Sequence, residues 1–409
     1  MPHRIFITVL IVVWAFIVFE DWISTPSCRI VAHSSSPTGQ SRIKIDTNDN
    51  LKVMMVSNLL LSGSEAGFVD KYFMEYYMSK FFEKSFGSLL PDMLIVLGDV
   101  SERGYKMAKS GWYSVLRQFQ AVIGPFNELP LHVVLGDRDA GACSQLTREN
   151  VDWVAGRFPG LDSAGSGAFR IGNIGFLSLN AVALLCGNND LRFSTEKRIE
   201  RERSDIQMEL KDMGDMKNEF TPVNLAGDDT KWRGNDMSSG SGPVVLLHFP
   251  LHRTAESCAK NSNLVGTQNT VMGKLKSVVG SDLVGNGPYD LLHHLPANAT
   301  EYIFQALKPR IIFSGHQNGF CTHIYPDSTL EVTVPALSWN ARDDPGFILA
   351  TFKNNGAIVS ITQCFLAKES HILAAIASSF ILCLLIGTYP KHILPANANS
   401  AATTMYNHM

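Results

Sequence analysis

Seven short apolar runs punctuate the middle of the chain: LKVMMV (51–56), MLIVLGD (93–99), LHVVLGD (131–137), IGFLSLN (174–180), PVVLLH (243–248), RIIFSGH (310–316) and TLEVTVP (329–335). Each is six or seven residues long and most are rich in β-branched side chains, the length and character of strands buried on both faces. Between several of them lie longer amphipathic stretches such as FVDKYFMEYYMSKFFEKSF (68–86), which read as helices. Strand–helix alternation predicts an α/β domain whose sheets are covered by helices.

The polar residues that close these runs are not random. Asp99 ends LIVLGD, Asp137 ends VVLGD, His248 ends VVLLH, and His316 follows RIIFSG. Ligands of open α/β sheets bind in the crevice outside the carboxyl ends of the strands. Two carboxylates and two imidazoles meeting there would form a nitrogen–oxygen site suited to manganese, zinc or iron more than to magnesium. Any one of them alone reads as a turn aspartate or a hydrogen-bonded core histidine.

Two further apolar runs lie near the ends of the chain. Residues 5–19 (IFITVLIVVWAFIVF) and 372–388 (ILAAIASSFILCLLIGT) carry no charge and predict membrane segments over 1–27 and 371–390. The first reads as a cleavable signal core or an uncleaved signal anchor, and Glu20-Asp21 directly after it favours the anchor. Either way the middle of the chain is expected to be lumenal, with residues 391–409 as a cytosolic tail. The sequon Asn298-Ala299-Thr300 agrees with a lumenal, glycosylated domain. Residues 28–50 read as a Ser/Thr-bearing stalk, and 51–367 as the folded domain.

A net charge of −3 excludes a dedicated nucleic-acid binder. The seven cysteines show no CxxC pair, which excludes a zinc finger or a disulfide-built scaffold. Cys258 and Cys321 are the candidates for one lumenal bridge. The stretch 191–242 breaks the strand–helix rhythm with nearly balanced charge and is expected to be a salt-bridged surface insertion.

The ordered set GDVSERG (98–104), GDRD (136–139), HFPLHR (248–253) and GHQNGFC (315–321) resembles the calcineurin-like metallophosphoesterases. Together with EVTVPALSWNARDDPGF (331–347), it resembles most closely the membrane-bound branch that removes ethanolamine-phosphate from GPI anchors. The resemblance implies two mixed β-sheets sandwiched between helices, flanked by one N-terminal and one C-terminal membrane helix. It also implies metal-dependent phosphodiester hydrolysis, with a GPI-anchor lipid or GPI-anchored cargo as partner and a role in ER-to-Golgi transport. A residual cargo-binding scaffold, impaired as a catalyst, is the alternative.

The departures from the family pattern fall on one metal. Where the family has D-x-H the chain has Asn58 and Leu60, and Asn318 replaces the last His of GHxH. The ligands that the family gives the second metal match Asp99, Asp137, His248 and His316, so one ion per chain is expected instead of two. Arg138 replaces the family's catalytic His; it cannot donate a proton near neutral pH but can grip a phosphate oxygen beside Asp139. Glu102 is expected to orient its neighbours, His252 and Arg253 to meet a headgroup or phosphate, and Trp339 to pack in the core.

Overall fold

The computed structural model describes residues 2–35, 50–186, 190–218, 240–253, 293–354 and 356–388. The chain divides into the unit Ser24–Glu369 and a second unit made of the two ends, Met1–Ile23 and Ser370–Met409.

All seven apolar runs form strands, and five further strands complete two six-stranded sheets. In chain order the strands are β1 (Ser27–Ser35), β2 (Leu51–Val56), β3 (Met93–Leu97), β4 (Leu131–Val134), β5 (Gly167–Ile171) and β6 (Ile174–Ser178). They continue as β7 (Val244–Leu247), β8 (Ile311–Ser314), β9 (Cys321–Ile324), β10 (Leu330–Thr333), β11 (Gly346–Lys353) and β12 (Ile358–Phe365). One sheet has the order β1-β12-β11-β2-β3-β4 and the other β5-β6-β7-β8-β10-β9. Each sheet is mixed: β2, β3 and β4 run parallel, as do β6, β7, β8 and β10, while the remaining pairings are antiparallel.

Alternation along each strand sends side chains to opposite faces. Met55, Ile95 and Leu97 of the first sheet meet Phe176, Leu246, Phe313 and Val332 of the second in a shared core. The other face of the second sheet, with Val245, Leu247 and Ile312, packs on Ile199 of the helix Asp190–Asn218 and on Ile303 and Leu307 of the helix Ala297–Leu307. The outer side of the first sheet is covered by the helix Met78–Leu89, whose Phe81 meets Phe347 edge-on with ring centroids 5.3 Å apart. Each such fully buried large side chain contributes about 1.5–3 kcal/mol. The layers are helix, sheet, sheet, helix, as the resemblance implies.

Two expectations change. The stalk expected from residue 28 begins as β1, which pairs antiparallel with β12 and is tied to it by the disulfide Cys28–Cys364. A lone amphiphilic stretch becomes a strand here because its partner lies 336 residues away in sequence. A second disulfide joins Cys143 to Cys186, a pairing that no spacing in the sequence marks. Cys321 is disulfide-bonded, and its expected partner Cys258 lies outside the described residues.

The insertion at 191–242 opens with the long helix Asp190–Asn218, laced by Arg192–Glu196 and Glu200–Arg203 pairs at 2.8 and 3.5 Å; 219–239 lie outside the described residues. Helices form over both apolar end runs, Pro2–Ile23 and Glu369–Thr388. Among the described residues no helix is long and apolar enough to cross a membrane, so the two expected spans rest on sequence alone. The tail 391–409 lies outside the described residues.

Candidate metal centre

The strand-end residues converge where the two sheets meet. Asp99 follows β3, Asp137 follows β4, His248 follows β7 and His316 follows β8, each at the carboxyl end of its strand. One ligand atom from each of these four lies within 4.8 Å of every other. Asp99 and His316 hold left-handed backbone, with φ of 56° and 60°. Such a conformation is uncommon outside glycine and marks sites where the surroundings fix the chain.

Glycine makes the convergence possible. A Cβ on Gly98, whose φ is 88°, would run into the His248 ring, and one on Gly136 would run into the Asp99 carboxylate. The GD dipeptides therefore serve the approach of neighbouring loops as much as their own turns.

Donor geometry fits a cation. His248 Nδ1 lies 2.7 Å from Leu97 O, which only accepts, so Nδ1 carries a proton and Nε2 faces the site. That Nε2 stands 3.0 Å from Asp137 Oδ1 and 3.4 Å from Asp99 Oδ1, while His316 Nδ1 stands 3.4 Å from Asp137 Oδ1. Ligands held at about 2.1 Å by one divalent ion stand about 3.0–3.4 Å apart on neighbouring vertices. The Asp99 and His248 side chains are buried, whereas those of Asp137 and His316 are 24% and 18% exposed, so the cluster has one side open to solvent.

The electrostatics point the same way. Burial alone would lower the affinity of His248 for a second proton, but the charge of Asp99 and the hydrogen bond to Asp137 outweigh it and hold the imidazolium well above the usual histidine range. Burial raises the Asp137 carboxyl, yet the hydrogen bonds and charges of His248 and His316 keep it well below the usual range. The two carboxylates draw positive charge into the cluster, as a proton on His248 or as a bound cation. The residues present thus fit a divalent ion held by Asp99, Asp137, His248 and His316.

The neighbouring positions look different. Asn58, 4% exposed, donates from Nδ2 to Asn318 Oδ1 at 3.2 Å and to His316 O at 3.3 Å, and its Oδ1 accepts from Ser57 Oγ at 2.7 Å. Asn318 is held in turn by Arg342, whose Nη1 donates to its carbonyl while Nε and Nη2 bind Asp344. Leu60 is 5% exposed and offers no donor atom. Asn58 and Leu60 also hold left-handed backbone, with φ of 53° and 56°.

Around this centre the expected residues divide. Arg138 donates its backbone N–H to Asp99 Oδ1 at 3.1 Å, and its side chain, 37% exposed, places Nε 3.6 Å from Asp99 Oδ2 at the rim. Asp139, expected beside the chemistry, is fully buried and accepts from the N–H groups of Val100, Ser101 and Gly136 and from Ser101 Oγ. Burial first, and then the Asp99 charge, push its carboxyl up to about 7. Asp139 thus binds the loop after β3 to the loop after β4 and acts as a positioning group. Glu102 does similar work by accepting from Ser62 Oγ at 2.6 Å.

Arg253 is the clear correction to the expected headgroup contacts. Its side chain is 4% exposed and bound to Glu331 Oε2 at 3.1 Å and Thr333 Oγ1 at 2.8 Å, leaving no face for substrate. Glu331 also accepts from Leu251 N, Ser314 Oγ and Tyr325 OH, so this buried cluster braces the loop that carries His248 and the end of β8 before His316. His252 is exposed and donates its backbone N–H to Thr300 Oγ1. Trp339 packs in the core, with Nε1 donating to Ala367 O.

One site residue escaped the sequence reading. His293 Nδ1 lies 3.1 Å from His316 Nε2, on the ring edge away from Asp137. No motif spacing marks it, because its link to His316 is made only in three dimensions.

No family model matches the chain. By sequence it is 26% identical over 373 residues to Metallophosphoesterase 1 of Xenopus laevis, covering 86% of this chain and 82% of that protein. Metallophosphoesterase 1 of Danio rerio is 24% identical over 348 residues, covering 83% and 81%. Among solved structures, a dimetal phosphatase from Danio rerio aligns at a TM-score of 0.40 and 11% identity, covering 74% of this chain and 93% of that one. The chain is thus similar along most of its length to the Metallophosphoesterase 1 proteins, as its ordered strand-end motifs imply.

Proposed function

We propose that the protein is a membrane-associated metallophosphoesterase of the secretory pathway, binding one divalent ion on Asp99, Asp137, His248 and His316 and hydrolysing a phosphodiester. The observation that carries this reading is the convergence of those four ligand atoms within 4.8 Å, beside a rim arginine. A divalent ion there would supply Lewis-acid polarisation of a phosphoryl oxygen and acidify an attacking water. The chain's own residues do the rest. Arg138 grips a phosphate oxygen with its guanidinium, Asp139 and Glu102 hold the loops in register, and His248 keeps its ring fixed through Leu97 O. Manganese, zinc and iron suit the nitrogen–oxygen donor set.

Ethanolamine-phosphate on a GPI anchor is the substrate we assign, on the resemblance of the motifs alone. Lumenal placement is supported by the disulfides Cys28–Cys364 and Cys143–Cys186, which belong to oxidising compartments, and by the exposed Asn298 of the sequon. Membrane association is supported by the end helices, where Phe6, Trp14, Trp22, Phe380 and Leu385 are each more than half exposed, an apolar surface suited to lipid.

A second reading is favoured by the Asn58–Asn318 hydrogen bond and by Arg138 in place of a proton donor: a GPI-cargo-binding scaffold without turnover. One assay separates the two. Hydrolysis of bis(4-nitrophenyl) phosphate with added manganese is expected for wild type and lost in His248→Ala, whereas equal background rates in both would favour the scaffold.

A further inference from the structure

We propose that the cavity between the helices Asp190–Asn218 and Arg148–Ala155 is a binding site for a phosphate-bearing anion, separate from the metal-ligand cluster. The cavity holds about 380 Å³ and is lined by Arg148, Lys197, Arg198 and Arg201, opposed by only two carboxylates, Asp162 and Asp190. Its helical wall is one face of Asp190–Asn218, since positions 190, 194, 197, 198 and 201 recur at the three- and four-residue spacing of neighbours on a helix.

The same helix pairs its charges elsewhere. Arg192 meets Glu196 at 2.8 Å, Arg203 meets Glu200 at 3.5 Å, and Glu209 meets Arg170 at 2.7 Å. Among the described residues, none of the four lining cations has a carboxylate within the 4.0 Å of an ion pair. Glu202, one turn beyond Arg198, attracts it from a distance without pairing. Arg198 Nε is buried and has no hydrogen-bond partner. Asp162 cannot supply one with its Oδ1, which accepts from the backbone of Ala164 and Ser166 at 2.9 and 3.0 Å as part of its own turn.

Four cations against two carboxylates leave the hollow with an excess of positive charge that an anion would balance. Three of the four are guanidinium groups, whose forked donors match phosphate oxygens better than a point charge does. The volume exceeds a lone phosphate and leaves room for the rest of an ester, and Phe193, 68% exposed at the rim, offers a surface for an apolar or ring portion. A soluble phosphate ester and a phospholipid headgroup share this chemistry.

The test uses the full chain in detergent with EDTA present, so that phosphate capture through the metal cluster is suppressed. Inorganic pyrophosphate and water-soluble dihexanoyl phosphatidic acid are titrated separately by calorimetry. Wild type binds at least one of them, and the probe that binds identifies the source. The exposed-face double variant Lys197→Gln/Arg201→Gln binds about a hundredfold more weakly with unchanged thermal unfolding. Arg148→Gln, on the other helix, weakens binding about tenfold, while His248→Ala leaves it intact. The proposal is overturned if wild type binds neither probe, if the double variant binds as wild type does, or if His248→Ala abolishes binding. None of these outcomes bears on hydrolysis at the metal cluster.

Discussion

The side-chain amides of Asn58 and Asn318 bind each other, Nδ2 to Oδ1 at 3.2 Å, across the place where the family pattern has an aspartate and a histidine. The backbone at Asn58 and Leu60 holds left-handed turns, with φ of 53° and 56°, as it does at Asp99 and His316 in the neighbouring cluster. Restoring the donors should therefore restore a second ion. The triple variant Asn58→Asp/Leu60→His/Asn318→His is expected to gain one divalent ion per chain over wild type by elemental analysis. An unchanged count would mean that the loop no longer presents a metal-binding shape.

His293 holds His316 from behind, at 3.1 Å from Nε2. Partners of this kind fix ring orientation, and losing them typically weakens metal binding about 10–100-fold. His293→Ala is expected to lower metal affinity by that factor, read by competition with a fluorescent chelator. Wild-type affinity in the variant would assign His293 no part in the centre.

Arg253 and Glu331 form a buried ion pair at 3.1 Å beneath the loop that carries His248. Removing one partner leaves the other charge buried and uncompensated, at a cost of about 3–5 kcal/mol. Glu331→Gln should lower unfolding stability by this amount in urea titrations. A loss below about 1 kcal/mol, the worth of a surface pair, would contradict the buried assignment.

His132 sits on β4 with Nε2 2.8 Å from Ser178 Oγ, and burial lowers its pKa from 6.5 to about 4. Between those two values the unfolded chain binds the extra proton and the folded one does not, so stability falls as pH drops from 6.5 towards 4. The loss should total about 3 kcal/mol, following from about 1.4 kcal/mol per pKa unit. Denaturant titrations across this window should flatten in His132→Leu. A variant with the wild-type slope would place the responsible group elsewhere.

The central strands and the four clustered side chains are legible because both are local signals: an apolar run, then an Asp or His at its end. What sequence left unread is long-range. β1 looks like a stalk because its strand character comes from β12 and a disulfide 336 residues away. Arg253 sits in a motif that suggests phosphate contact, yet Glu331, 78 residues on, claims its guanidinium. Glu331 itself read as one polar residue in EVTVP, with nothing to mark it as fully buried. Asp139 carried a motif position that pointed to chemistry, and only the packing of two loops reveals its structural task.

A single cation shared by Asp99, Asp137, His248 and His316 is the central proposal. Elemental analysis of the purified full chain, after dialysis against trace metal and gel filtration, measures it directly. One divalent ion per chain, absent from His248→Ala, is the expected result. Two tightly held ions in the wild type, or one that persists in His248→Ala, would contradict it.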